Sequence, residues 1–372
     1  MKKQNQSFKS RRNVIKAGII GLGTAAVASL PLVIPSLKIT KKAQQKIIIR
    51  TSGGKDHIAY TKILFEPFTK ETGIKIEGIR SNVEPIAEIK TMVETGTYAW
   101  DMACLGNRAI PILGQNYLEK HRLNDDPTVS TIMPHLLSDY SVGMNVYSIV
   151  LAYRTDAFEG REAPKTWKDF WDVKKFPGRR ALRKIPFDTI EEALMADGVS
   201  PGQVYPCDLD RAFSSLDKIK RHIPVWWQNA PQSEHLPRTG EVDLLPAFSI
   251  SVLAAIEAGA PVAFSWDQHI YGYDNWTILK GTPNVEACRQ FIQFATDPER
   301  QAQLIPYGIA PTQPRALEAS VLRKNGIEPK YVKLLPTYPD NFKKGMPSDG
   351  LYWADKHSSI IERFNKWMLV DS

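Results

Sequence analysis

Apolar residues recur along this chain in two alternating rhythms. Ile47-Ile48-Ile49 is a continuous aliphatic run, as a strand buried on both faces requires, and Thr51-Ser52-Gly53-Gly54 ends it. From Lys55 to Glu71, Ile58, Leu64, Phe65 and Phe68 mark a helix that stops at Gly73. Ile74, Ile76 and Ile79 then alternate as a second strand. A helix from Pro85 to about Thr95 precedes a third strand, Asp101-Met102-Ala103-Cys104-Leu105. Strands and helices in turn predict parallel βαβ units with helices on both faces of a sheet.

The pattern resumes further on. Ile149–Tyr153, Ala181–Leu182, Val225-Trp226-Trp227, Val242–Phe248 and Trp276–Leu279 read as strands, and Pro261–Ser265 as extended chain. Helices are predicted over Thr189–Ala196, Leu209–Lys220 and Val252–Glu257, and again from Val285, with Asp297-Pro298 opening a short one. A length of 372 residues accommodates two such α/β units.

Charge changes the picture only at one end. The formal balance is +8, but residues 1–36 hold six basic side chains and no acid, which leaves +2 for the rest. The body therefore carries no electrostatic signature for nucleic acid. Ser10-Arg11-Arg12-Asn13-Val14-Ile15-Lys16 precedes a Gly/Ala-rich apolar segment from Ala17 to about Pro35. A cationic stretch followed by an apolar one is the order of an export signal, and the paired arginines resemble a twin-arginine signal. Residues 1–36 are thus read as a signal peptide rather than an anchor, because Gly18, Gly21, Gly23, Pro31 and Pro35 interrupt a run of minimal spanning length. The expected address is the periplasm.

A search for reaction chemistry returns little. Cys104, Cys207 and Cys288 form no C-x-x-C pair, and the seven histidines show no metal-ligand spacing. Gly198-Val199-Ser200-Pro201-Gly202 fits the G-x-S-x-G pattern, but Pro201 has no N–H to offer an oxyanion. No catalytic residue, cofactor or metal is expected. Ligands of open α/β sheets bind beyond the carboxyl ends of the strands. That rule points to Ser52-Gly53, either a polar helix start or an ordinary turn, and to Asn107 and Arg108, Asp188, Gln228 and Phe248. Tyr273 and Asp274, in an aromatic-rich stretch, are candidates to hold an organic cation, Asp274 as the carboxylate.

Phe65-Glu66-Pro67-Phe68-Thr69-Lys70-Glu71-Thr72-Gly73-Ile74, Ala152-Tyr153-Arg154-Thr155-Asp156, Pro164-Lys165-Thr166-Trp167-Lys168-Asp169-Phe170-Trp171-Asp172, Lys175-Phe176-Pro177-Gly178-Arg179-Arg180, Gly240-Glu241-Val242-Asp243-Leu244 and Gly281-Thr282-Pro283-Asn284 carry a likeness by their order and spacing. With them the chain, over about 46–372, resembles the periplasmic solute-binding proteins of the spermidine/putrescine-binding family. The resemblance implies an α/β fold of two lobes, the type II periplasmic-binding fold, each lobe a mixed sheet flanked by helices. It places lobe 1 at 46–148 plus about 276–318 and lobe 2 at 149–275 plus about 319–372, with crossovers near Val146–Ile149 and Tyr273–Trp276. It also implies capture of a small molecule in the cleft and docking on an ABC permease with its ATPase; the arginine pair adds passage through the twin-arginine export machinery, and a monomer is expected.

In that family an aspartate after the return crossover grips an amine, and Asp274 matches it. Phe248 stands where a tryptophan stacks on the ligand. Asp188 matches one acid, while its acidic companion falls on Ile185. Thr51 or Ser52 replaces an aromatic residue, and Arg108 replaces a tyrosine. An arginine in the cleft, with carboxylates and aromatics lost, disfavours a polyamine. The expected ligand is an amine-bearing or zwitterionic molecule first, a polyamine second and an organic anion third. A periplasmic enzyme on a similar scaffold and a sensor subunit are the alternatives.

Overall fold

The computed structural model describes residues 45–81 and 84–370. The signal-like residues 1–36 lie outside them.

Three strands, Lys46–Thr51, Lys75–Arg80 and Met102–Gly106, pair in parallel with the first in the middle. Helices connect them, as the alternating pattern predicts: Gly54–Tyr60 runs through a π-helical turn at Thr61–Phe65 into Glu66–Thr72, and Ile86–Thr95 follows the second strand. Strand alternation sends Ile47, Ile49, Met102 and Cys104 into one core, with Phe65, Phe68, Trp276 and Phe291. Ala103 and Leu105 point the other way, onto Ile89 and Leu113.

Two long strands then carry the architecture. Ser141–Arg154 and Val262–Leu279 form an antiparallel ladder from Val262 opposite Arg154 to Trp276 opposite Val142. At one end Asp274–Ile278 pair with Met102–Gly106. At the other, Ile149–Tyr153 pair with Leu244–Phe248. The main strands of both lobes thus stop short of the middle, Val146–Ser148 against Tyr271–Tyr273, where the chain passes between the lobes; the second passage lies a little before the expected Tyr273–Trp276. Pattern alone splits the second long strand into 261–265 and 276–279. It is continuous because a register shift between Ser265 and Ile270, with Gln268 at φ 60°, takes up the polar Asp267-Gln268-His269.

The second lobe is also covered on both faces. Ile149, Leu151, Leu182 and Leu244 face a core holding Trp167, Phe170 and Phe176. Val150, Ala152, Leu245 and Ala247 face Trp227, Leu236 and Val252. The expected return of the chain to this lobe at about 319 is too early. Val321, Leu322, Val332, Leu335 and Tyr338 pack on the first lobe's core, and the chain joins the second core from Met346 onward, chiefly through the helix Gly350–Leu369. Trp353, Ile360 and Phe364 on that helix are fully buried. The three cysteines are free, Cys104 and Cys288 buried and Cys207 half-buried.

Trp353 is the main anchor of the terminal helix: its ring meets Phe187 edge-on at 4.7 Å and its Nε1–H donates to Glu191 Oε1 at 2.6 Å. Trp353→Ala is expected to cost about 3–5 kcal/mol, the range for emptying a large aromatic site, measured as the midpoint shift in urea unfolding. A shift worth less than about 1 kcal/mol would show that the helix docks without it.

Candidate functional site

Between the lobes, against the middle of the two long strands, lies a cavity of about 270 Å³. That is at the small end of ligand sites, about 300–1,000 Å³. Ser52, Asp56, Glu84, Gly106, Arg108 and Asp274 come to it from the first lobe's strand ends and their loops. Arg183, Phe248 and Ser249 come from the second, and Asn145 to Ser148 from the crossover.

One end of the cavity is acidic. Asp56, in the first turn of its helix, has its carboxyl raised to about 7 by burial and then by the neighbouring Asp274. Glu84 keeps an open side to solvent, yet burial and Asp274 raise it to about 7 against the pull of Arg50 and Arg108. Asp274 is itself raised by burial, while Asn145, Arg108 and Arg50 pull it down. Gly106 leaves room between them: a Cβ there would stand 3.5 Å from Glu84 Oε2 and 3.8 Å from Asp274 Oδ1. Asn145 Nδ2 donates to Tyr60 Oη at 2.7 Å and to Asp274 Oδ2 at 3.3 Å, while its Oδ1 has no protein partner.

The other end is basic. Arg183 sits at the end of the strand Ala181–Arg183, over the rings of Trp227 and Phe248. Its Nη1 donates to Asp188 Oδ2 at 2.7 Å. Arg108 crosses from the first lobe and stacks on Phe187, 4.1 Å from the ring centroid, and its Nη1 lacks a protein acceptor. Burial would lower the Arg108 guanidinium, but Tyr147, Asp188, Glu84 and Glu191 outweigh it and hold the group charged.

Of the residues singled out from the sequence, Ser52, Arg108, Phe248 and Asp274 line this cavity. Five do not. Gly53 is buried at φ 85° as the start of its helix, its carbonyl accepting from His57 N. Asp188, also at positive φ and 2% exposed, braces Arg183 instead of facing the space. Gln228 is exposed, its N–H donating to Gln232 Oε1. Asn107 and Tyr273 face a different cavity: alternation along the strand turns Tyr273 away from Asp274, while Asn107 and Arg108 part in the turn after Gly106, where Arg108 already has helical backbone angles. The helix start after Ser52 is no anion site either, since Asp56 occupies its first turn.

Asp56, Glu84, Asn145 and Arg183 were missed. The strand-end rule would have found two of them, had it been applied to the second strand, which leads to Glu84, and to Ala181–Arg183. Asp56 and Asn145 sit inside regular elements and carry no such signal.

Two lobes joined by two strands, with a charged cavity between them, are the form of a solute receptor, and residues 64–328 match the family model of bacterial extracellular solute-binding proteins. The chain belongs to that family. It is 32% identical over 336 residues to a gamma-aminobutyric acid-binding protein of Pseudomonas aeruginosa, covering 87% of this chain and 91% of that one. To the spermidine/putrescine-binding periplasmic protein of Salmonella typhimurium it is 25% identical, covering 63% and 69%. An ABC transporter substrate-binding protein from Bradyrhizobium japonicum superposes with a TM-score of 0.81 at 37% identity, covering 87% of this chain and 99% of that one. The named relatives of this chain are thus binding proteins for small solutes. The family implies a small-molecule ligand, an ABC permease as partner and a periplasmic setting.

The raised carboxyls make a prediction about the empty protein. Asp56 and the fully buried Glu191 hold protons in the folded state at pH values where the unfolded chain has lost them. Folding therefore takes up protons, and stability falls as pH rises towards and just past the folded pKa. Histidines lowered by burial in the folded state, such as His57, His121 and His269, still lose protons from the unfolded chain just above about 6.5 and act in the opposite sense, so the carboxyl contribution is read as the difference between the parent and Asp56→Asn. Between about pH 6.5 and 8 the parent should lose on the order of 1 kcal/mol more stability than Asp56→Asn in urea titrations. Equal slopes for the two proteins across this interval would contradict the assignment.

Proposed function

We propose that this solute-binding protein captures a short ω-amino acid and presents it to an ABC permease and its ATPase. The ammonium lies among Asp56, Glu84 and Asp274, and the carboxylate meets Arg108 and Arg183. One observation carries the reading: a single small cavity has carboxyls at one end and guanidiniums at the other. A zwitterion with separated charges satisfies both, whereas a polyamine would set a second amine against arginine. The unpartnered atoms agree in kind, since Arg108 Nη1 is a donor for a carboxylate and Asn145 Oδ1 an acceptor for an ammonium. Phe248 and Tyr147 offer apolar surface for the methylenes between. The 32% identity to a gamma-aminobutyric acid-binding protein points the same way. Ser10–Lys16, with its paired arginines, supports export by the twin-arginine route, and the cavity, built within one chain, supports a monomer.

Three four-carbon probes separate the alternatives by calorimetry: 4-aminobutanoate, putrescine and butanoate. The zwitterion is expected to bind at least tenfold tighter than either, and to be recovered unaltered. Equal or tighter binding of putrescine would overturn the proposal. Asp274→Asn and Arg108→Ala should each weaken 4-aminobutanoate at least tenfold while the protein stays folded.

Because an ammonium competes with the protons on Asp56 and Glu84, both near 7, affinity should fall as pH drops from 8 to 6. Binding at neutral pH should release protons, seen as a dependence of the binding heat on buffer ionisation enthalpy. A pH-independent affinity over that range would remove these carboxyls from the ammonium end.

A further inference from the structure

Asn107 and Tyr273 turn away from the cleft, and the space they face is a cavity in its own right. It measures about 720 Å³ and lies against the side of the joining strands opposite to Arg108 and Asp274. Its walls are aromatic: Tyr271 and Tyr273 from the long strand, Tyr205, Phe342 and His135. Tyr271 and Phe342 pack at 4.8 Å between centroids, and His135 meets Tyr273 edge-on at 6.4 Å. Burial lowers the His135 imidazole, so it is neutral at neutral pH.

The polar groups of this cavity share one sign. No lysine or arginine lines it, and Asp349 is its carboxylate. Asp349 Oδ1 accepts from Tyr352 N at 2.9 Å, capping the terminal helix, and among the described residues no cation pairs with it. Asn107 and Ser348 are each 5% exposed and line the same space. The Asn107 amide is oriented by its Nδ2, which donates to the Ser348 carbonyl at 3.0 Å. The atom left over is therefore an acceptor, Oδ1, without a protein partner, and Ser348 Oγ is also unpartnered. Buried polar atoms are rarely left unmatched.

We propose that this cavity is a second ligand site, taking a primary organic ammonium with an aromatic body. The aromatic walls stack on the body and attract the cation by their faces. Asp349 supplies the counter-charge, and Asn107 Oδ1 and Ser348 Oγ accept N–H donors. The cleft reading is not needed for this, because the two cavities share no lining residue.

The test uses 2-phenylethylammonium as the probe, titrated into purified protein by calorimetry, with phenylacetate as the anionic control. The expected result is saturable binding at one site, with no binding of phenylacetate. Asp349→Asn should weaken the probe at least fivefold with an unchanged melting temperature, since asparagine also caps helices well. Tyr273→Leu should weaken it by a similar factor. Asp274→Asn, which alters only the cleft, should leave it within twofold. Absence of saturable binding would overturn the proposal. So would binding that Asp274→Asn abolishes and Asp349→Asn spares, which would assign the probe to the cleft. Whether 4-aminobutanoate binds is read in a separate titration, so the two proposals fail independently.

Discussion

The antiparallel ladder between Ser141–Arg154 and Val262–Leu279 is the constraint on which the rest depends. Each lobe attaches its main strands to one end of it, and neither reaches the middle. The middle of the ladder is therefore the place where the lobes are joined, and the place about which a hinge closure on a ligand would turn. Strand alternation then assigns a side to every residue of the ladder. Asp274 goes to the cleft and Tyr273 behind it, and that single parity separates two chemically different cavities.

The cleft itself is electrostatically incomplete. Buried charges are expensive unless paired, and this protein pairs some of them internally, as Arg183 with Asp188. Asp56, Glu84 and Asp274 are instead left crowded, each raised by burial. Arg108 Nη1 lacks an acceptor. The empty site meets this cost by holding protons on its carboxyls. The proposed zwitterionic guest would replace the protons with an ammonium and give the guanidinium its acceptor, so that on this reading the residues that burden the empty protein also select the ligand. The positive φ of Asp188 belongs to this account. A strained residue is kept where it braces a guanidinium against the cavity.

Much of the scaffold was legible because its signals are local. Aliphatic runs such as Ile47–Ile49 and helical spacings such as Ile58 to Phe68 depend on neighbours within a few residues. Arg108, Asp274, Phe248 and Ser52 were reachable by one further rule, that ligands lie at strand ends. That rule identifies a loop but not a direction, which is why Asn107 was taken together with Arg108. The long strand was read in two pieces because Asp267-Gln268-His269 breaks the apolar pattern. In the folded chain a register shift accommodates them, and His269 is buried against Ser148 and the Asn341 carbonyl.

Sequence by itself determined the βαβ character and the two-lobed family, which rest on short-range spacing or on ordered motifs. Only the tertiary structure decided which charges share a space. Asp56 and Asp274 stand more than two hundred positions apart, and so do Asn107 and Ser348, which meet through one hydrogen bond. No local pattern encodes such encounters. They arise when separate strands, and the helix and turns that follow them, are brought together, and only for a strand residue such as Asp274 would one residue of register shift turn the side chain to the opposite face.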